Sequence, residues 1–351
     1  MKVLLILTAA FDQGGTQNDM IQLSSTLAPL DYDIHLAAPE GSMVKELTDT
    51  GATFHPVPSP VGGMRALLSY TRALTSIIRH DNFDVLAPQS IRAALAVGLL
   101  RLGNFTAKPV VTSLHNLHNP DNATVAARVL RRCCDLVTFE NHYERRLVGL
   151  EKTSSGIPTQ VVYSGVDLEK FRPRAGGRSA SGLVNPAGNL VGCVARFSPE
   201  KDHETLLQAW SLHSRQHPDD HLVLIGDGPC RPAIEKAIAM LELGTSVTLM
   251  GERPDVDRIL PDLDLFVLSS SRESYPRSAR EALACGVPVI LPAIGGCGEI
   301  VLDCAAGSLF QSGDPEGLAS LIAERLGDSG GRIPRARAAR RRYLLLPATA
   351  F

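Results

Sequence analysis

The 351-residue chain is 44% hydrophobic, 21% charged and 5% aromatic, with a net charge of −2 and a mean hydropathy of +0.04. Its length is that of two ordinary domains, and its composition supplies apolar material for two cores. These values exclude a disordered, collagen-like or coiled-coil chain, and no apolar run approaches the roughly 20 residues of a membrane-spanning helix.

The opening apolar run stops at Ala10 and is followed by Asp12-Gln13-Gly14-Gly15 instead of a small-residue cleavage pattern. It reads as a buried first strand rather than a signal peptide, and a cytoplasmic chain is expected. The seven cysteines agree: the number is odd, Cys133 and Cys134 are adjacent, and no C-x-x-C pair or Cys/His cluster has zinc spacing. They read as small buried hydrophobes in a reducing compartment, and no metal ligands are assigned.

Short runs rich in Val, Ile and Leu alternate with longer helix-like stretches, the pattern of parallel α/β architecture. In the first half the predicted strands are Lys2–Leu7, Asp33–Ala37, Val85–Ala87, Val110–Leu114, Leu136–Thr138 and Gln160–Val162, with amphipathic stretches at Thr16–Leu27 and Met64–Arg79. The pattern restarts with strands Leu190–Ala195, Leu222–Ile225, Val247–Met250, Leu265–Leu268, Val289–Leu291 and Ser308–Phe310. Helices are expected near Glu204–Arg215, Pro232–Leu243 and Pro276–Ala284. Arg172–Gly188, made of Gly, Ser, Pro, Ala and Arg without periodicity, reads as a linker.

The expected organisation is therefore a Rossmann-like domain over 1–172, a linker over 173–188, a second Rossmann-like domain over 189–330 and a basic tail over 331–351. The charge is uneven among these parts. Residues 1–172 carry 16 basic and 16 acidic side chains, residues 173–330 carry 13 and 21, and residues 331–351 carry 6 and 0. Such a balance does not point to nucleic acid as a partner.

In doubly wound sheets ligands collect outside the carboxyl ends of the strands. The first strand leads into Gly14-Gly15-Thr16, where the backbone can approach a ligand and a helix N-terminus offers amide donors to an anion. This is not G-x-G-x-x-G, which disfavours a nicotinamide dehydrogenase. At the corresponding place in the second half, Arg196 and Lys201 lie five residues apart on one loop, a fork and a point charge able to flank a diphosphate.

Further on, Glu273 precedes a predicted helix and Glu281 lies inside it, with Pro276 expected at the first helical position and Gly286 at the stop. Eight residues of helix would separate the carboxylates by about 12 Å, beyond the roughly 5 to 9.5 Å of glycosidase pairs. Acids that accept hydroxyls at opposite ends of one extended ligand fit the spacing better, with the helix N-terminus facing that ligand's phosphates.

Glu273-x7-Glu281 followed by Ala-Leu-Ala-Cys-Gly-Val-Pro-Val resembles the signature of the retaining GT-B glycosyltransferases of family four. Val162-Tyr163-Ser164-Gly165-Val166-Asp167 with Phe171 resembles the family's interdomain segment, although Ser164 stands where Asn is usual. The Arg196–Lys201 loop, Gly226-Asp227-Gly228-Pro229 and Gly295-Gly296 with Glu299 follow in family order.

The resemblance implies an α/β GT-B fold, two facing Rossmann-like domains with a cleft between them. It also implies hexosyl transfer with retention from a nucleotide diphosphate sugar, a UDP-sugar first. Carried over to this sequence, Arg196 and Lys201 would hold the diphosphate, with no metal and no other cofactor required. Glu281 would accept the ribose hydroxyls and Glu273 those of the donor sugar. Tyr275, Pro276 and Arg277 would lie along the donor, assisted by backbone amides. Gly14 and Gly15 would line the site from the first domain, and His115 matches a family histidine near the donor sugar.

The implied acceptor is a polysaccharide, a glycolipid or a small glycosylated molecule. Pro276 stands where many members carry Gly, and Asn141 is available to cap the helix after Phe139-Glu140. The basic tail departs from the helix that usually ends such chains and is a candidate for peripheral contact with the inner face of a membrane. Two alternatives stay open at this point: a nucleotide-sugar epimerase of similar architecture, and a non-catalytic nucleotide-sugar-binding protein with an incomplete C-terminus.

Overall fold

The apolar runs Lys2–Ile6 and Leu190–Val194 each open a parallel sheet, and the chain divides into two units, Met1–Ser164 and Gly165–Phe351. The computed structural model describes residues 1–12, 14–114, 123–150, 156–173, 187–302 and 307–327. Most of the expected linker, the basic tail and His115 lie outside the described residues.

In the first unit the strands are β1 (Lys2–Ile6), β2 (Asp33–Ala38), β3 (Thr53–Pro56), β4 (Val85–Pro88), β5 (Val111–Leu114), β6 (Leu136–Phe139) and β7 (Thr159–Val161). Between them run α1 (Gly15–Leu27), α2 (Val44–Thr48), α3 (Met64–His80), α4 (Ile91–Leu102), α5 (Ala123–Cys133) and α6 (His142–Val148). The strands pair in the order β3-β2-β1-β4, and a parallel bridge from Leu86 to Val110 continues the row into β5-β6-β7.

Register assigns each side chain to a face. Leu4, Ile6, Ala37 and Leu86 pack with Tyr70 and Leu74 of α3 and with Ala93, Val97 and Leu100 of α4. Val3, Leu5, Ile34 and Leu36 pack instead with Met20 of α1 and Leu47 of α2. With both faces covered the strands read as unbroken apolar runs, which is why they were legible. On the first face the Tyr70 hydroxyl donates to the Leu7 carbonyl at 2.7 Å, and burial raises its phenol well above the ordinary value.

Helices α4 and α5 meet where Gly98 faces Cys133, leaving no room for a side chain. Asn141 caps α6 as expected, accepting from the Glu144 amide at 2.7 Å. Ser164, in place of the usual Asn, donates to Glu140 at 2.6 Å and so ties its turn to the end of β6.

The second unit contains β8 (Leu190–Val194), β9 (His221–Ile225), β10 (Val247–Gly251), β11 (Leu265–Val267), β12 (Val289–Pro292) and β13 (Gly307–Phe310). Its helices are α7 (His203–Ser214), α8 (Arg231–Met240), α9 (Val256–Ile259), α10 (Arg277–Ala284), α11 (Cys297–Val301) and α12 (Pro315–Gly327). The strand order is β10-β9-β8-β11-β12-β13 with all pairs parallel, so both units are doubly wound, Rossmann-like sheets. The Gly165 carbonyl accepts from Arg280 Nη1 at 3.3 Å, which ties the segment after Ser164 to this unit.

Pro276 is not the first residue of α10 but its N-cap, with ψ 119° placing it outside the helix. Among the described residues no helix is long and apolar enough to cross a membrane.

Replacing Gly98 with Val should force α4 and α5 apart and cost about 1–3 kcal/mol. Urea unfolding followed by circular dichroism measures this as a lower midpoint with unchanged slope.

Candidate functional site

The strand order of the second unit reverses between β8 and β11, the switch point beside which doubly wound sheets bind ligands. The loops that leave these two neighbouring strands are Ala195–Asp202 and Leu268–Pro276. They carry Arg196, Lys201, Glu273, Tyr275 and Pro276, so the structure brings together residues about 75 positions apart in sequence.

The first loop is held by backbone pairing. The Phe197 amide donates to the Asp227 carbonyl at 2.9 Å, and the Phe197 carbonyl accepts from the Cys230 amide at 2.9 Å. Asp202, with a left-handed backbone, ends the loop and caps α7 by accepting from the Thr205 amide and hydroxyl. Between them, Ser198 donates to Glu200 at 2.6 Å. Burial pushes the Glu200 carboxyl up, but the Ser198 hydroxyl, its own backbone amide and nearby cations outweigh this and leave it below the ordinary value.

The second loop is fastened to the first. The Ser269 hydroxyl donates to the carbonyls of Lys201 (3.1 Å) and Asp202 (2.8 Å), and the Ser271 amide donates to the Glu200 carbonyl at 2.9 Å. On its other side the Gly296 amide donates to the Ser274 carbonyl at 2.7 Å. Gly295, at φ +53°, packs so closely on the Glu273 carbonyl that a side chain there would collide with backbone.

These fastenings aim Lys201 at Glu273. The Lys201 ammonium donates to Glu273 Oε1 at 2.6 Å, and the Ser270 hydroxyl donates to the same oxygen at 2.8 Å. The carboxylate is 7% exposed and the ammonium 23%, so the pair is sheltered but open to solvent on the lysine side. Arg196 is exposed, and its guanidinium makes no hydrogen bond or ion pair with any described residue, leaving its fork available.

Helix α10 begins directly after this loop. Its first amides have no acceptors within the helix, and their positive end lies beside the Glu273 loop. One turn in, Arg277 Nε donates to Glu281 Oε1 at 2.7 Å. Burial raises the Glu281 carboxyl above its ordinary value despite the Arg277 charge. Because α10 starts at Arg277, only the last four of the eight steps from Glu273 to Glu281 are helical, and the 12 Å helical spacing does not apply.

Tyr275 is buried, with the Arg280 guanidinium 4.8 Å from its ring centroid, so its side chain packs rather than reaching outward. Two thiols lie near enough to feel the Lys201 and Glu273 charges. Burial holds both protonated, pushing Cys193 up to about 12 and Cys297 higher still.

In the first unit Gly14 is the extended N-cap of α1 and Gly15 its first residue. A side chain at Gly15 would meet nothing within 4 Å, so local packing does not demand a glycine there. Sequence reasoning did not single out Ser270, the Gly295 contact or the stacked Arg280. A serine run before Glu273 was the available signal for the first, and the other two depend on tertiary contacts.

The family models give this geometry its class. "Glycosyl transferases group 1" matches residues 179–342 and "Glycosyltransferase Family 4" matches residues 13–170, which together span most of the chain. The chain belongs to the group 1, family 4 glycosyltransferases.

Two relatives are D-inositol 3-phosphate glycosyltransferases. That of Mycolicibacterium gilvum is 32% identical over 62% of this chain and 53% of its own length. That of Salinispora tropica is 27% identical over 94% and 77%. The chain thus spans about half the length of the first of these relatives and about three quarters of the second.

Among solved structures, HepE from Anabaena in complex with UDP is 21% identical with a TM-score of 0.78, covering 98% of this chain and 94% of that one. Sucrose-phosphate synthase from Thermosynechococcus elongatus is 19% identical with a TM-score of 0.81 over 98% and 94%. These likenesses establish the GT-B fold, built from two Rossmann-like domains.

Beneath the Lys201 loop, His203 is buried against Phe197, ring centroids 4.8 Å apart, and neither ring nitrogen has a hydrogen-bond partner among the described residues. Burial, reinforced by the Lys201 charge, lowers its pKa to about 4. The unfolded chain therefore binds this proton more readily, so His203's contribution to stability is complete above about pH 6.5 and is lost as pH falls toward 4. Between pH 7 and pH 5 the loss is about 2 kcal/mol. Chemical denaturation at the two pH values should show this difference in the wild-type protein and a smaller one in His203→Leu.

Proposed function

We propose that this protein transfers a hexose from a nucleotide diphosphate sugar, a UDP-sugar in the first instance, to a hydroxyl of a polysaccharide, glycolipid or small glycosylated acceptor. Transfer proceeds with retention of anomeric configuration and without a metal. Family membership, the names of the glycosyltransferase relatives and the UDP complex of HepE support this reading. The observation that carries it is the Lys201–Glu273 pair beside exposed Arg196 at the switch point of the second unit.

On this reading the diphosphate sits between Arg196 and Lys201, with the α10 N-terminus adding backbone donors. As the bond from the anomeric carbon to the β-phosphate oxygen breaks, negative charge builds on that oxygen. Cations already in place stabilise it without reorganising, the role a metal would otherwise fill. Glu281 accepts the ribose hydroxyls. Glu273, its carboxylate oriented by Lys201 and Ser270, accepts hydroxyls of the donor sugar. The acceptor oxygen attacks the face the nucleotide leaves, and its proton passes to the departing phosphate oxygen, so no side chain becomes covalently glycosylated. His115 would act beside the donor sugar, and Gly14 and Gly15 would admit the donor closely at the first unit. A peripheral position on the inner face of a membrane, through the basic 331–351 tail, belongs to the same reading.

A screen of UDP- and GDP-sugars against carbohydrate and lipid acceptors tests the reading, with proton NMR assigning the anomeric configuration of the product. Retention is expected, and an inverted product would refute it. Omitting Mg²⁺ and Mn²⁺ should leave the rate within about twofold. Arg196→Ala should lower kcat/KM by roughly 10²–10³ while leaving stability within about 0.5 kcal/mol, because the side chain is exposed. Lys201→Ala should lose at least as much activity and also some stability, since it strands a buried carboxylate.

Glu281 adds a pH dependence. Its carboxyl is raised, so it takes up a proton at a higher pH than an ordinary glutamate, and protonation removes the charge that attracts ribose hydroxyls. Donor KM should rise as pH falls through that value, and Glu281→Gln should show a high, nearly flat KM over the same range.

A further inference from the structure

At the edge of the first sheet a cluster of polar side chains borders the apolar layer. His35 on β2 is 5% exposed and lies in register with Leu4 of β1. Its Nε2 faces Asp33 Oδ1 at 3.1 Å, and its Nδ1 faces His55 Nε2 at 2.7 Å. His55 stands on edge strand β3, its ring within 17° of parallel to His35 and 5.0 Å from it between centroids. Asp81, directly after α3, brings a third group: one atom each from His35, His55 and Asp81 lies within 4.8 Å of the others.

We propose that His35 Nδ1, His55 Nε2 and a carboxylate oxygen of Asp81 form a structural site for a divalent transition metal of the zinc class. The donor chemistry fits, since imidazole and carboxylate are zinc ligands. The tautomer of His35 fits as well. A proton on His35 Nε2, held by the Asp33 carboxylate, leaves the Nδ1 lone pair directed at the cluster, which is the carboxylate–histidine–metal arrangement of zinc proteins. His55 Nε2 then donates the 2.7 Å hydrogen bond to that nitrogen, and zinc takes the place of its proton as His55 changes to the Nδ1-protonated tautomer.

The spacing requires only a small adjustment. Two nitrogens on a tetrahedral zinc stand about 3.3 Å apart, so the rings must open by about 0.6 Å. Lys2 Nζ now donates to Asp81 Oδ1 at 2.9 Å and lies 3.9 Å from Asp33 Oδ2. An arriving cation can therefore displace it toward a second carboxylate already within reach.

His35 sits near the start of β2, in register with the third residue of β1, whereas the Gly14–Gly15 turn follows the other end of that strand. The metal's role is mechanical. It fastens strand β3, which has one strand neighbour among the described residues, to β2 and to the end of α3.

The test uses the full-length protein, stripped with a chelator and dialysed, with ZnCl₂ titrated against a chromophoric competitor and melting followed in parallel. The wild-type chain should bind zinc at this site and melt at higher temperature with zinc present. His55→Gln should lose that zinc and the rise in melting temperature. Asp33→Asn, an exposed change outside the ligand set, should weaken binding about 10–100-fold. A wild-type chain that takes up no stoichiometric zinc would overturn the proposal. So would uptake unchanged in both variants, which would place the metal elsewhere. None of these readouts depends on glycosyl transfer.

Discussion

A single ion pair governs the second unit's site. Glu273 is a nearly buried carboxylate, and a carboxylate in that position is tolerable only with a cation and further donors. Lys201 and Ser270 supply them on one oxygen, 2.6 and 2.8 Å away. The pair joins the loop after β8 to the loop after β11, and backbone-directed bonds from Ser269 and Ser271 repeat the connection. The lysine is consequently fixed in direction before any ligand arrives, while Arg196 a few residues earlier is left free to adapt. A preorganised point charge beside an adaptable fork suits a flexible diphosphate.

The same strand order in both units explains why the pair falls where it does. Each sheet reverses direction next to its first strand, between β1 and β4 and between β8 and β11. At that reversal the connections diverge to opposite faces and leave room between their loops. In the second unit that room is occupied by charge. In the first it is bordered by the Gly14–Gly15 turn at the N-terminus of α1, with Thr8 and Ser90 side chains 3.2 Å apart behind it.

Much of this was legible in the sequence because fully buried parallel strands announce themselves as apolar runs. Every strand so predicted is present to within a residue or two at each end. Strand β3 escaped notice because Thr53-Phe54-His55-Pro56 is a half-buried edge without an apolar run. Helix α4 is apolar on most sides, so it lacks the amphipathic rhythm that revealed α3. Arg196, Lys201 and Glu273 were legible as chemistry-bearing residues in loops after strands, and Glu281 as one in the helix that follows. Their partners were not, since Ser270 beside Glu273 and Gly295 beneath it depend on how separate loops fold together. The meeting of His35 and His55 depends likewise on the register of β2 against β3.

The account's central claim is that Arg196 and Lys201 grip a pyrophosphate while Glu281 holds the ribose. A crystal structure of the protein with UDP tests it most directly. The account predicts β-phosphate oxygens within hydrogen-bond distance of the Lys201 ammonium and the Arg196 guanidinium, with the ribose hydroxyls on Glu281. UDP bound elsewhere, or bound here with those three side chains turned away from it, would contradict the account.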